Sequence, residues 1–149
     1  MKNKSQRDTI RQTLAKGVLP NDQGGSMNKK INIPSLLQKA GIGEQTVYAA
    51  QEALLSYRAI DALQSLIYIE EESSVFLQTV QKAVQRLEKW PYDGKLYKEV
   101  LYETYLVPEP LNEPERLEKL FLSRSDYYRK KREAIQLFAL ALYRGEMYF

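Results

Sequence analysis

Residues 112–143 read NEPERLEKLFLSRSDYYRKKREAIQLFALALY, and the way this stretch divides decides the fold. It holds a short charged segment, a break around Leu122-Ser123-Arg124, and a longer segment that begins polar, becomes basic at Arg129-Lys130-Lys131-Arg132 and ends apolar. Asn112 is placed to cap a first helix with Glu115 three residues on, and Ser123 with Asp126 repeats the arrangement for a second. Leu117 and Leu120 face inward and Leu122 fills the turn. The pattern predicts a helix-turn-helix whose second helix is buried at one end and cationic at the other.

Helical spacing from Tyr127 as the first inward residue puts position 131, Ala134, Phe138 and Ala141 on the buried side. The opposite arc holds Arg124, Ser125, Tyr128, Arg129 and Arg132. These are donors suited to phosphates and base edges, and the arginine fork in particular matches guanine O6 and N7. Lys130 is expected as a phosphate contact. The charge is local as well: residues 123–132 carry five basic side chains against one acidic, Asp126. Residues 27–93 carry seven basic and eight acidic. A confined positive face on a chain of net charge only +3 and pI about 9.0 is the pattern of a phosphate-facing surface.

Upstream, KLYKEVLYETYL at 95–106 reads as a helix with Tyr97, Leu101 and Tyr105 on one side, ended by Pro108 and Pro110. From Glu44 to about Ile69 there is neither Gly nor Pro, and apolar residues recur every three to four positions, which predicts a helix about 40 Å long. Glu70-Glu71-Glu72-Ser73-Ser74 breaks that pattern, and a further helix follows until Pro91. The two make a helical hairpin. Its apolar residues Tyr57, Ile60, Leu63, Ile67, Phe76, Val80 and Leu87 are expected to form an oligomerisation surface, with a homodimer as the product. PSLLQKAGIGEQTVY at 34–48 also fits a two-helix template turning at Gly41, where a left-handed residue is needed. Its second helix has no Lys or Arg before Arg58, so it reads as an ordinary corner. Leu19 to Ser26 reads as a flexible linker, and residues 1–26 as an upstream arm.

The expected organisation is therefore all-α, a helical hairpin followed by a C-terminal helix-turn-helix. The arm and linker span 1–33, the hairpin 34–91, and the helix-turn-helix region 92–149. With 149 residues, 44% apolar and 28% charged, the chain has enough for a core. No apolar run reaches the roughly 18 residues of a membrane span and no signal peptide is evident, so a cytoplasmic protein without a membrane partner is expected. Cysteine and histidine are both absent. This removes disulfides, thiolate zinc sites, the commonest metal ligand and the commonest general base. No metal, no cofactor and no enzymatic activity are expected.

VLYETYL, a proline-containing break, and then LEKLFLSRSDYYRKKREAIQLFALALY together resemble phage-encoded transcriptional regulators of the ArpU/RinA type. Their C-terminal module is similar to the promoter-reading fourth region of sigma factors. The likeness covers about residues 95–145 and is strongest at Leu122-Ser123-Arg124-Ser125, Tyr127-Tyr128-Arg129 and Ala134-Ile135. It implies double-stranded DNA as partner, contacts at Arg124, Ser125, Tyr128, Arg129 and Arg132, activation of late genes, and RNA polymerase as a further candidate partner. Three positions depart from the pattern: Phe121 where a turn glycine is usual, Arg116 where an aliphatic residue is usual, and Lys131 at a core position. Two other functions fit the same residues. One is the DNA-recognition subunit of a phage packaging machine; the other is a protein-binding adaptor or antirepressor with a degenerate helix-turn-helix.

Overall fold

Asn32 caps the first helix among the described residues: its Oδ1 accepts the Ser35 N–H at 3.0 Å, and Pro34 sits in the first turn, where no N–H is needed. The structure is a computed structural model and describes residues 32–66 and 71–148, with side chains for 32–66 and 74–145. The expectations for residues 1–31 and for Ile67 lie outside the described residues. Among the described residues six α-helices follow in order: α1 (Ile33–Lys39), α2 (Glu44–Leu66), α3 (Glu71–Arg86), α4 (Gly94–Leu101), α5 (Glu113–Leu120) and α6 (Arg124–Tyr148). α3 ends in the 3-10 turn Leu87–Lys89, and α4 continues into the π-turn Tyr102–Leu106. There is no strand among the described residues, and the fold they form is all-helical, as the periodicity predicts.

The joints follow from their residues. Gly41, at φ +77°, takes the left-handed conformation expected of it, and Ile42 N–H closes on Leu37 O at 2.8 Å. Residues 34–48 thus form a helical corner. α3 starts at Glu71, so most of the segment read as a break is helical; acidic residues favour a helix start through the dipole. Pro91 ends the following turn, and Asp93 at φ 59° leads into α4. Gly94 is required there because a Cβ would run into the backbone carbonyl of Leu87. At the second joint Asn112 Oδ1 accepts the Glu115 N–H at 3.0 Å, and Ser123 Oγ accepts the Asp126 N–H at 3.2 Å. Both caps stand where the sequence places them.

The core is built round the second half of α6. Ala134, Ile135, Leu137, Phe138, Ala139, Leu140 and Ala141 are all buried. A helix apolar on every side must be surrounded, and α1, α2, α3 and α4 all pack on this one. Arg144 Nε donates to Ala40 O at 3.3 Å and Arg86 Nη1 to Ala141 O at 3.4 Å, fastening its end to α1 and α3.

This arrangement corrects several expectations. Ile33, assigned to the arm, is 5% exposed and belongs to the core. The hairpin region and the C-terminal region share one apolar cluster, so residue 91 is not a boundary in the packing. Three residues assigned to self-association, Tyr57, Val80 and Leu87, are buried inside the single chain, and Ile60 and Phe76 pack partly against the same core. α6 supplies the cover that the hairpin was expected to find in a second copy. Of that set only Leu63 is exposed among the described residues. It lies beside a different apolar strip on α2, formed by Tyr48, Leu55, Ala59, Ala62 and Leu66 at helical spacing and open to solvent.

Candidate nucleic-acid interface

α4, α5 and the start of α6 enclose a second, smaller cluster in which Val100, Leu120 and Tyr127 are buried and Leu96, Leu117 and Leu122 pack partly against them. Leu122 can reach it because α5 ends abruptly: Phe121 adopts φ 57°, ψ 42°, and Leu122 N–H then closes on Leu117 O at 3.1 Å. Two helices joined by a three-residue turn, braced by a third, fix the first half of α6.

A polar network stiffens this unit. The Tyr127 hydroxyl lies 2.6 Å from Thr104 Oγ1 and accepts from Arg116 Nη1 at 3.2 Å, while Arg116 Nη2 donates to Leu111 O at 2.7 Å. Arg116, a departure from the resembling pattern, therefore serves as a clamp on Tyr127; only its Nε lacks a partner. The π-turn carrying Thr104 is held from two further sides. Arg58 on α2 donates to Val107 O at 2.8 Å and Thr104 O at 3.1 Å, and Lys119 on α5 donates to the buried Glu103 at 3.0 Å. The other oxygen of Glu103 is buried without a hydrogen bond, which makes the Lys119 contact the main compensation for that carboxylate. Together these contacts link the π-turn to α2, α5 and α6, so the unit is tied to the bundle as well as to itself.

Of the six residues expected to contact DNA, five lie on the exposed side of α6. Arg124, Ser125, Tyr128, Arg129 and Arg132 are all exposed. Arg124, its side chain 75% exposed, lies with Nε 3.3 Å from Glu113 Oε1. That is a charge contact without hydrogen-bond alignment, since the same oxygen has no hydrogen-bond partner. The Arg124 guanidinium also sits 5.9 Å from the Tyr128 ring centroid, and Tyr128 meets Tyr127 edge-on at 5.2 Å. Arg129 Nη2 contacts Asp126 Oδ1 at 3.1 Å, both exposed, a pair worth little in water. Ser125 Oγ is 3.5 Å from Ser123 Oγ. Arg132 makes no hydrogen bond or ion pair among the described residues.

Lys130 is the sixth position, and here the expectation is corrected. It is 6% exposed, with Nζ 2.7 Å from Asp93 Oδ2 and 5.3 Å from the Tyr97 ring centroid. A phosphate cannot reach an ammonium enclosed in this way. The buried edge of α6 runs Tyr127, Lys130, Ala134, one residue off the expected Tyr127, 131, Ala134. Both steps satisfy a 3.6-residue repeat, and Asp93 decides between them by giving position 130 a counter-charge. Lys131, expected in the core, is half-buried instead, with Nζ 5.0 Å from the Tyr128 ring and 5.9 Å from the Tyr127 ring. It joins Arg124 and Tyr128 in a cation–aromatic cluster on the open side. The Tyr97 hydroxyl donates to Glu133 Oε1 at 3.1 Å. Burial first, and then the Glu133 carboxylate, push this phenol well above its ordinary pKa, so it remains a donor throughout the neutral range.

The sequence reading did not anticipate the cationic role of Lys131, the Arg116–Tyr127–Thr104 clamp, or the presentation of Phe121. The last had a signal: a bulky residue standing where the turn asks for glycine. Comparison with known proteins finds no family model, no curated protein and no solved structure that matches this chain.

Proposed function

We propose that the chain is a sequence-specific DNA-binding transcriptional regulator that lays the first half of α6 in a major groove. One observation carries this reading: a single 25-residue helix has one half enclosed in the core and the other half exposing Arg124, Ser125, Tyr128, Arg129 and Arg132 on one face. Donors on a rigid helix face can pair with base edges, and the surrounding cations draw in the phosphates. Lys131 takes the phosphate role in place of Lys130. The resemblance to ArpU/RinA-type regulators supports late-gene activation of phage type as the biological setting, with RNA polymerase as a candidate partner.

Fluorescence anisotropy on specific and random duplexes across a salt series tests the reading. Arg132→Ala should cost about 1–3 kcal/mol on the specific site and relax specificity at one position. Lys131→Ala should weaken all sequences alike and lower the salt slope by about one unit. Should neither variant differ from the parent, this face does not meet DNA. A protein-binding adaptor is the second reading, favoured by the acids Glu113 and Asp126 that sit against Arg124 and Arg129. No retention of any duplex at low salt would favour it over DNA binding.

A homodimer belongs to the same proposal, now through the α2 strip of Tyr48, Leu55 and Leu66. No helix among the described residues is long and apolar enough to cross a membrane, so the strip is not part of a span, and pairing with its own copy would remove it from water. Leu55→Glu combined with Leu66→Glu should keep the helical circular dichroism of the parent, since both sites are exposed in the single chain, and should reduce self-association in light scattering. A parent protein that stays monomeric at micromolar concentration would end the dimer proposal.

A further inference from the structure

The turn between α5 and α6 needs its conformation but not its side chain. At φ 57° and ψ 42° Phe121 occupies the left-handed region, where Cβ crowds the following carbonyl. A bulky aromatic there is uncommon, whereas glycine enters freely. The conformation itself is required, because it ends α5 through the Phe121 N–H to Glu118 O contact at 3.2 Å and brings Leu122 round to the small core. The ring takes no part in this. It is 93% exposed, the most exposed large apolar side chain among the described residues. Phe121 thus carries backbone strain and an uncovered apolar surface together, and neither is returned within the fold. Unrecovered local cost is characteristic of residues held for an interaction.

The surroundings of the ring select the kind of partner. Beyond Leu122, which turns into the small core, come Ser123, Arg124 and Ser125, all exposed. Three residues of chain span at most about 11 Å, so Phe121 stays that close to Arg124. The major groove is roughly 12 Å wide. With the start of α6 in that groove, a residue within this distance of Arg124 is in reach of the groove's sugar–phosphate edge. An apolar protein partner would instead be met by a patch whose centre is poor in charge, and this ring lies beside the densest cationic segment of the chain.

Resting on the DNA-binding reading above, we propose that Phe121 is itself a DNA-contact residue, its ring packing on the deoxyribose and base edge at the margin of the site bound by α6. An apolar contact of this kind senses groove shape and step flexibility rather than the donor–acceptor pattern.

The test uses the full chain, a labelled duplex selected from a random-sequence pool by the parent protein, and a random duplex of equal length. Phe121→Gly should melt no lower than the parent, up to about 3 °C higher, as strain is relieved. It should bind the selected duplex about tenfold more weakly, from the apolar area left in water. The slope of log K against log salt should not change, because no phosphate contact is lost. Phe121→Trp should bind like the parent. Parental affinity in Phe121→Gly, alongside weakened binding in Arg132→Ala, overturns the proposal and leaves the DNA-binding reading standing. A loss that appears in self-association instead, with single-site affinity unchanged, assigns the ring to a second copy and also overturns it. Absence of binding by the parent to either duplex removes the DNA-binding reading, and this proposal with it.

Discussion

Phe138→Ala should lower the free energy of unfolding by about 3–5 kcal/mol, the usual cost of emptying a buried aromatic site. The ring is completely buried in the half of α6 that four other helices surround. Its neighbours on the helix, Leu137, Ala139, Leu140 and Ala141, are equally enclosed, so none can swing in to fill the space without leaving contacts of its own. Domains of this size are held by roughly 5–15 kcal/mol in all, and one such change uses a large part of that margin. Leu142→Ala, at a position only partly buried against the same core, should cost clearly less. Urea unfolding followed by far-ultraviolet circular dichroism checks both. A Phe138→Ala midpoint indistinguishable from that of the parent would mean that the chain is not organised round this helix.

Tyr127→Ala should cost about 3 kcal/mol, and its effect should be local. Tyr127 is the largest of the three buried side chains of the small cluster, and its hydroxyl joins Thr104 and Arg116. Without the ring, α5 and the first half of α6 lose their common anchor, while the larger cluster round Phe138 keeps all its members. Hydrogen exchange should therefore show faster exchange in residues 113–133 and nearly parental protection at 135–141. Tyr127→Phe separates the two contributions. It keeps the ring and removes only the hydroxyl, so about 1 kcal/mol is expected, with Arg116 still held by the Leu111 carbonyl. Uniform acceleration across both halves of α6 would show that the two clusters melt as one.

The sequence revealed these elements unevenly, and the reasons are physical. Helix ends were legible because single residues decide them: Gly41 by its left-handed φ, Pro91 by its missing N–H, Asn112 and Ser123 by their capping oxygens. The exposed arc of α6 was legible because Arg124, Ser125, Tyr128, Arg129 and Arg132 are polar at helical spacing. Lys130 and Lys131 were exchanged for the opposite reason. The repeat tolerates either, and the choice rests on Asp93, 37 residues away along the chain. Self-association residues were misplaced because an apolar stripe shows that something covers it without showing what. The run from Ala134 to Ala141, apolar except at Gln136, shares one core with Tyr57, Val80 and Leu87 and is their cover. The π-turn at 102–106 left no trace, since its signature is a network of partners spread over α2, α5 and α6.

α6 passes without a break from the small cluster into the large one, about 37 Å in all. Such a shaft has no joint, so the compass direction of its arginines is set by helical phase relative to the apolar run that grips its far half. Each residue advances that phase by about 100°. The aim of the cationic face is thus written into the register of Ala134 to Ala141 as firmly as into Arg129 or Arg132. Slipping that grip by a single position would leave every arginine in the sequence and turn all of them away from the surface they now face.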